Sequence, residues 1–274
     1  MTVDIHFYTG RKGSNPGGKA IVRVGNREFH AYLKYCHSSS FANGVSVTGD
    51  ELPFDHIEQP IYEAITLHLA QRAGLHAPNF YVLVNDGSLK VSYDSRDIPR
   101  INERMPLYFV SEIMEVPPVQ DSEGRQRALE RDKLYRDLLL VSDVSNKAQN
   151  FRYVAETGNI LYLDLGCSFV NAVDGTLRRS NFKVPRATKN NVKIAERLLG
   201  KLYLETADGK DLLALDDLIK VTAEMPLPAL GDRKSLRIGT FLDQAVLDEI
   251  ALMLQLNIID VYKDYREDSR LMRE

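Results

Sequence analysis

An asparagine and an aspartate lie at the two ends of a predicted β-hairpin in this 274-residue chain. The segment from Asn150 to Asp164 reads NFRYVAETGNILYLD, in which a polar turn sequence separates two apolar runs. A two-stranded ribbon would place Asn150 and Asp164 near the same open end. An amide oxygen and a carboxylate at one point suit Mg²⁺, which takes few protein ligands and keeps phosphate oxygens and water. The alternative is an ordinary hairpin with a polar end, because the D-x-G sequence that begins at Asp164 is a weak motif.

A glycine-rich loop, GRKGSNPGGKA (10–20), lies between two predicted strands near the N-terminus. It contains Gly13, Ser14, Gly17 and Gly18, and glycines let backbone N–H groups approach phosphate oxygens closely. It is not a Walker A sequence, because no G-K-[ST] opens a helix. Taken alone, it is better explained as a flexible hairpin loop.

A lysine at the end of a strand and a glutamate in the next helix follow this loop. Lys34 ends FHAYLK, and Glu63 lies in IYEAITLHLA. A lysine on an inner strand can reach nucleotide phosphates, and a helix glutamate can hold that lysine in place. Either residue alone is better explained as a surface charge. The order of glycine loop, lysine, glutamate, connecting strand and D-x-G hairpin is nevertheless that of a kinase, and its chance assembly is improbable.

The elements that must position these residues change from strands to helices along the chain. Alternating apolar residues predict strands at 20–24 and 29–34 around a turn at Gly25-Asn26, and further short strands at 80–84 and 107–113. Helical periodicity is found over these ranges: 55–73, 122–141, 190–204, 211–224 and 240–262.

This pattern predicts an α+β protein with two lobes, and the kinase order of the candidate site residues makes the expected fold two-lobed and protein-kinase-like. The N-lobe (1–115) would hold a mostly antiparallel sheet and one helix. The C-lobe (116–274) would hold the hairpin and be mostly helical. A ligand would bind in the cleft between the lobes.

Composition excludes few classes of partner. The hydrophobic fraction is 44% and the charged fraction 27%, as in soluble globular proteins, and the net charge of −3 lacks the basic surplus of nucleic-acid-binding proteins. Two cysteines do not make a disulfide framework. No signal peptide and no apolar run long enough to span a membrane is visible, so a cytoplasmic location is expected.

Two motifs resemble the HipA-like serine/threonine kinases and, more distantly, the phosphatidylinositol 3- and 4-kinases. YEAITLHLAQRAGLHAP (62–78) looks like the family's helix motif E-x-x-x-x-x-L-A-x-x-x-G-[IL]-x-[VA]-P. NFRYVAETGNILYLDLGCSF (150–169) looks like the lipid-kinase run N-F-x-x…[IL]-D-[FL]-G-x-S-F. The resemblance covers about residues 10–169 and implies the compact form that lacks an extra N-terminal subdomain.

The resemblance implies roles for the site residues, with ATP and Mg²⁺ in the cleft. The Gly13–Gly18 loop would cover the phosphates. Lys34 would contact the α- and β-phosphates with Glu63 as its partner. The remaining implied roles are adenine contact through hinge backbone at Glu112 and Met114, and Mg²⁺ binding by Asn150 and Asp164.

The catalytic loop departs from the family pattern. The family places an aspartate five residues before the asparagine, but SNKAQN puts Ser145 there and Lys147 where histidine is usual. Three alternatives are open. In the first, Asp143 swings in as the base. In the second, catalysis proceeds without a carboxylate base, and Lys147 stabilises the transferring phosphate. In the third, phosphoryl transfer is lost and nucleotide binding remains.

The expected activity is ATP- and Mg²⁺-dependent phosphoryl transfer to a serine or threonine of a protein. The family resemblance implies a toxin–antitoxin or effector setting, with a small antitoxin or an effector target as the partner. One alternative is a pseudokinase that acts as a nucleotide-binding interaction module. Another is a lipid or small-molecule kinase, which the similarity to phosphatidylinositol kinases suggests.

Overall fold

The computed structural model describes residues 2–11, 16–35, 41–45, 51–117, 121–132, 150–165, 203–205, 212–214, 217, 220–252 and 254. Within these ranges the chain is a mixed α/β protein with a large sheet and three α-helices. The helices are α1 (Gln59–Arg72), α2 (Ser122–Arg131) and α3 (244–252). The strands, in chain order, are β1 (Val3–Phe7), β2 (Gly17–Val24), β3 (Arg27–Lys34), β4 (Phe41–Val45), β5 (Glu51–Asp55), β6 (Phe80–Val84), β7 (Leu89–Tyr93), β8 (Leu107–Glu112), β9 (Phe151–Val154), β10 (Asn159–Tyr162), β11 (Tyr203–Glu205), β12 (Leu212–Ala214), β13 (Pro226–Leu230) and β14 (Ser235–Arg237).

Eight strands form the large sheet, in the order β14-β13-β6-β8-β3-β2-β1-β7. Most neighbours are antiparallel, as predicted, but β1 pairs with β7 and β13 with β6 in parallel. The predicted strands 20–24, 29–34, 80–84 and 107–113 are all present within one or a few residues. The other strands form the two-stranded ribbons β4–β5, β9–β10 and β11–β12.

The C-terminal part of the chain is richer in strands than predicted. The helix expected over 211–224 is wrong at β12, and the helix expected over 190–204 is wrong at its end, where β11 begins. β13 and β14, for which no element was predicted, return to the large sheet beside β6. α3 lies inside the helix predicted over 240–262, and α2 lies inside the one predicted over 122–141.

The large sheet is buried on both faces in its centre. In β6, Phe80 and Val82 join one core cluster, whereas the alternate Leu83 joins the other. β8 is buried along nearly its whole length, as expected of a central strand covered on both sides. β3, which carries Lys34, lies beside β8 in this sheet.

Helix α1 is buried on almost its entire surface rather than on one face. It packs against β6 and β8, and it ends where the sequence predicts, at Gly74 with φ of +77°. The N–H groups of Gly74 and Leu75 donate to the carbonyl oxygens of Gln71 and Ala70, which is the Schellman pattern that a left-handed glycine permits. The burial of α1 on all sides explains why the environment of Glu63 could not be predicted from helical periodicity.

The β9–β10 ribbon docks on the chain just after α1. The N–H of Tyr162 donates to the carbonyl oxygen of His76 at 2.8 Å, and Leu161 forms a parallel bridge with His76. Phe151 and Tyr162 belong to the same core cluster as α1, so the hydrophobic core is continuous across residue 115. The division into an N-lobe and a C-lobe therefore stays a prediction.

No helix in the described ranges is long and apolar enough to cross a membrane.

Candidate functional site

Three charged side chains from three separate elements meet at the end of β3. Lys34 Nζ lies 2.7 Å from Glu63 Oε1 and 2.9 Å from Asp164 Oδ1. Glu63 comes from α1, and Asp164 follows β10. We call these residues the ion triad. The sequence predicted the Lys34–Glu63 pair, and the structure adds a direct contact between Lys34 and Asp164.

The register of the sheet aims Lys34 at α1. Lys34 pairs with Phe109 of β8, and Phe109 is one of the residues that pack under α1. The Lys34 side chain passes the ring of Phe109 at 5.8 Å from its centroid, and it reaches Glu63, which is 2% exposed. Because α1 is buried on all sides, Glu63 has a buried position in which an unpaired carboxylate would be costly.

Burial and charge act in opposite directions on the triad. Burial alone would lower the pKa of Lys34, but the attraction of Glu63 and Asp164 outweighs it and raises that pKa above its ordinary value. Burial raises the pKa of Glu63 to about 7, and the negative charge of Asp164 adds to this while Lys34 opposes it. One ammonium is thus shared by two carboxylates, and the fully ionised triad carries a net negative charge.

Asn150 and Asp164 meet at the open end of the β9–β10 ribbon, as the sequence predicted. The carbonyl oxygen of Asn150 accepts hydrogen bonds from the N–H of Leu163 at 2.7 Å and from that of Asp164 at 3.3 Å. Asn150 is buried, whereas 40% of the Asp164 side chain is exposed. These contacts join the backbones of the two residues, whose side chains are an amide and a carboxylate, the oxygen-bearing types that Mg²⁺ takes together with phosphate and water.

This donor set does not suit a metal held by protein alone. Within the described ranges, no three side chains of the His, Cys, Asp or Glu type converge as metal ligands. A cation at Asp164 would need an oxygen-rich ligand such as a polyphosphate to complete its shell.

A small depression borders the triad. It is shallow and has no room for a water molecule within it, so a ligand of nucleotide size must lie outside it. The residues that line the depression are Lys34, Tyr35, Gln59, Pro60, Glu63 and Phe109.

Gly17 and Gly18 have a structural reason to be glycine. A β-carbon on Gly17, whose φ is +149°, would lie 1.9 Å from the carbonyl oxygen of Leu33, and one on Gly18 would lie 2.3 Å from that of Thr9. The close approach of β2 to β3 beside Lys34 therefore requires Gly17, and the close approach of β2 to the chain after β1 requires Gly18. Their role at a phosphate stays a prediction, and Gly13 and Ser14 lie outside the described residues.

Glu112 and Met114 lie at and just beyond the end of β8 and differ in burial. The Glu112 side chain is 19% exposed and accepts hydrogen bonds from neighbouring strands, whereas Met114 is 50% exposed. Adenine contact through their backbone stays a prediction. The three residues expected in catalysis, Asp143, Ser145 and Lys147, lie outside the described residues.

The partners of Glu112 were not predicted from the sequence. Arg27, Asn79 and Tyr81 all donate to its carboxylate, although Arg27 is 85 positions away. No pattern of neighbouring residues predicts contacts between residues so far apart in the sequence.

Comparison with known proteins leaves the family open. No protein-family model matches this chain, and no curated protein matches it significantly.

Proposed function

We propose that this chain is an ATP- and Mg²⁺-dependent phosphotransferase with a two-lobed, kinase-like arrangement, whose nucleotide phosphates bind beside the ion triad. The observation that carries the proposal is the contact of Lys34 with both Glu63 and Asp164. A strand lysine, a helix glutamate and an aspartate beside a buried asparagine are the parts that phosphoryl-transfer sites use to hold phosphates and metal.

Stability alone explains this arrangement poorly. Burying a lysine and a glutamate costs roughly several kcal/mol of desolvation free energy per ion. A protein with well-packed apolar residues at these positions is often as stable or more stable. The two carboxylates of the triad share one ammonium. A cation bound at Asp164 would place a second positive charge beside them, which gives the arrangement a use in binding.

Each residue has a distinct part in the proposed site. Bound Mg²⁺ would neutralise charge on the transferring phosphoryl group. Glu63 holds the Lys34 ammonium in place, and Lys34 is the fixed cation that faces the phosphates. Asn150 and Asp164 supply the oxygen ligands for the metal. Because catalysis of phosphoryl transfer is mostly positioning and electrostatics, this set supports the reaction even where the base is atypical.

The proposed acceptor is a serine or threonine hydroxyl of a protein, following the HipA-like resemblance. A small antitoxin or an effector target is the partner that this resemblance suggests. Asp143 and Lys147 are the candidate base and charge stabiliser, with Ser145 at the position of the usual aspartate.

The direct test is transfer of label from γ-labelled ATP in the presence of Mg²⁺. The wild-type chain should label itself or a generic protein substrate, and Asp164→Asn should abolish the transfer. Asp94→Asn is the matched control, because Asp94 is also a partly exposed carboxylate in an ion pair, with His6. Labelling that survives Asp164→Asn would contradict the proposed site.

A second candidate is a nucleotide-binding module without transfer activity, which Ser145 favours because serine cannot accept a proton as a carboxylate does. A missing general base costs about 10²–10⁴-fold in rate. Nucleotide binding without any label transfer would support this candidate. If transfer occurs, Asp143→Ala decides the base: full retained activity eliminates Asp143.

A further inference from the structure

Glu112 is held by three donors where β8 ends. Its Oε1 accepts from the hydroxyl of Tyr81 at 2.8 Å and from the guanidinium of Arg27, and its Oε2 accepts from Nδ2 of Asn79 at 3.0 Å. We call Arg27, Asn79, Tyr81 and Glu112 the rim cluster. Because both oxygens already have protein donors, the Glu112 carboxylate is poorly suited to contact a nucleotide.

Arg27 is fixed by aromatic rings as well as by charge. Its guanidinium carbon lies 4.5 Å from the ring centroid of Phe29 and 5.1 Å from that of Tyr81. A planar guanidinium can stack on rings and donate in its plane at the same time, which a lysine ammonium cannot do. The contact therefore ties the start of β3 to the end of β8 with a defined orientation.

The backbone leaves the sheet directly after this cluster. The N–H of Glu112 donates to the carbonyl oxygen of Asn79, and the N–H of Ile113 donates to that of His30, both at 2.8 Å. Residues 113–117 then have no regular structure. We call 113–117 the connecting segment. The rim cluster thus lies at the last point where the sheet anchors this segment.

We propose that Arg27 and Glu112 are positioning residues that fix the connecting segment for contact with the nucleobase. This inference rests on the proposed nucleotide site, because it assigns a task to the segment that resemblance places against adenine. Glu112 then acts through Arg27, Asn79 and Tyr81 and touches no ligand with its own side chain. The tie between strands is independent of any ligand and can be measured alone.

The test compares Arg27→Gln with Arg23→Gln. Arg23 is the matched control, since its side chain is also 49% exposed and pairs with a glutamate, Glu28, on the same sheet. Amide hydrogen exchange of a peptide covering 112–117 should become about fivefold faster in Arg27→Gln and stay unchanged in Arg23→Gln. Arg27→Lys should not restore protection, because the stacked planar group is missing.

Binding of a non-hydrolysable ATP analogue with Mg²⁺ gives the functional readout. Arg27→Gln should weaken it by about fivefold, again with no change in Arg23→Gln.

Unchanged exchange at 112–117 in Arg27→Gln overturns the inference. Faster exchange with unchanged affinity overturns the assigned task. If the wild type does not bind the nucleotide, the proposed function is refuted instead. The exchange result then still shows whether Arg27 and Glu112 hold the connecting segment to the sheet. Tyr81→Phe, which keeps the ring and removes one donor, replaces Arg27→Gln if that variant does not fold.

Discussion

The ion triad and the rim cluster are both charged clusters on the same sheet, but they differ in burial. In the triad, the side chains of Lys34 and Glu63 are 10% and 2% exposed. In the rim cluster, those of Arg27 and Glu112 are 49% and 19% exposed. The triad relies on charge inside the protein, whereas the rim cluster relies on stacking at the surface.

This difference indicates two kinds of task. A buried charge that loses its partner is costly, so the triad is a rigid set that tolerates little change. A half-exposed pair contributes little free energy, because water and salt screen it, and it can orient a segment without dominating stability. We therefore expect substitutions in the triad to have large effects and those in the rim cluster to have small ones.

The largest effect should follow loss of the ammonium. Lys34→Met leaves two carboxylates without their shared cation, and we expect it to lower the free energy of unfolding by about 3–5 kcal/mol at pH 8. Adding Glu63→Gln to this variant should recover a large part of the loss, because the buried charge disappears. Denaturant titration of the single and double variants measures both, with exposed Lys90→Met as the control. No recovery in the double variant would contradict the account of the triad as a charge cluster.

The next effect concerns the backbone beneath Lys34. Gly17 pairs with Lys34 across β2 and β3, and a β-carbon on Gly17 would meet the carbonyl oxygen of Leu33. Gly17→Ala should lower the free energy of unfolding by about 2–3 kcal/mol, from clash and backbone strain together. Gly87 is the matched control, because its φ is +85° and nothing lies within 4 Å of a β-carbon there. Equal losses at Gly17 and Gly87 would show that the close approach of the strands is unimportant.

A smaller effect should appear in the pH dependence of stability. Burial raises the pKa of Glu63 to about 7 in the folded protein, against an ordinary 4.5. Between pH 4.5 and pH 7 the folded state holds a proton that the unfolded state has released. The stabilisation of the folded state by this proton is therefore present at pH 4.5 and is lost as the pH rises through 7. The unfolding free energy of the wild type minus that of Glu63→Gln should fall by roughly 1–2 kcal/mol from pH 5 to pH 8. A difference that stays constant or rises would contradict the raised pKa.

The smallest effect should come from the rim cluster. A double-mutant cycle on Arg27→Gln and Glu112→Gln should give a coupling of about 0.5–1 kcal/mol, as for partly exposed charge pairs. The same cycle on Arg23 and Glu28, both about half exposed, should give less, because Arg23 stacks on no aromatic ring among the residues that the structure describes. A coupling energy between Arg27 and Glu112 that exceeds the one between Lys34 and Glu63 would contradict the expected difference between the two clusters.

Local sequence patterns predicted many of the strands but few of the pairings between distant strands. The strands at 20–24 and 80–84 and the end of α1 at Gly74 follow from alternation and glycine chemistry, which are encoded within a few residues. The return of β13 beside β6 depends on pairing across more than 140 positions, which no local pattern expresses. The helix predicted over 211–224 is wrong at 212–214, because β12 pairs there with β11.

The candidate site shows the same limit. The meeting of Asn150 and Asp164 follows from hairpin geometry, so it could be predicted and is confirmed. The environment of Glu63 could not, because α1 is buried on all sides and lacks the one-sided pattern that periodicity detects. The glycines at 17 and 18 were predicted for phosphate contact, and the structure supplies a packing reason that local sequence does not express.

The central claim is that Asp164 binds a metal that holds nucleotide phosphates beside Lys34. Calorimetric titration with a non-hydrolysable ATP analogue, in Mg²⁺ and in EDTA, tests it most directly. The wild type should bind with Mg²⁺ and at least about tenfold more weakly without it, and Asp164→Asn should remove this dependence on the metal. Affinity that is the same with and without Mg²⁺, or the same in Asp164→Asn as in the wild type, would contradict the claim.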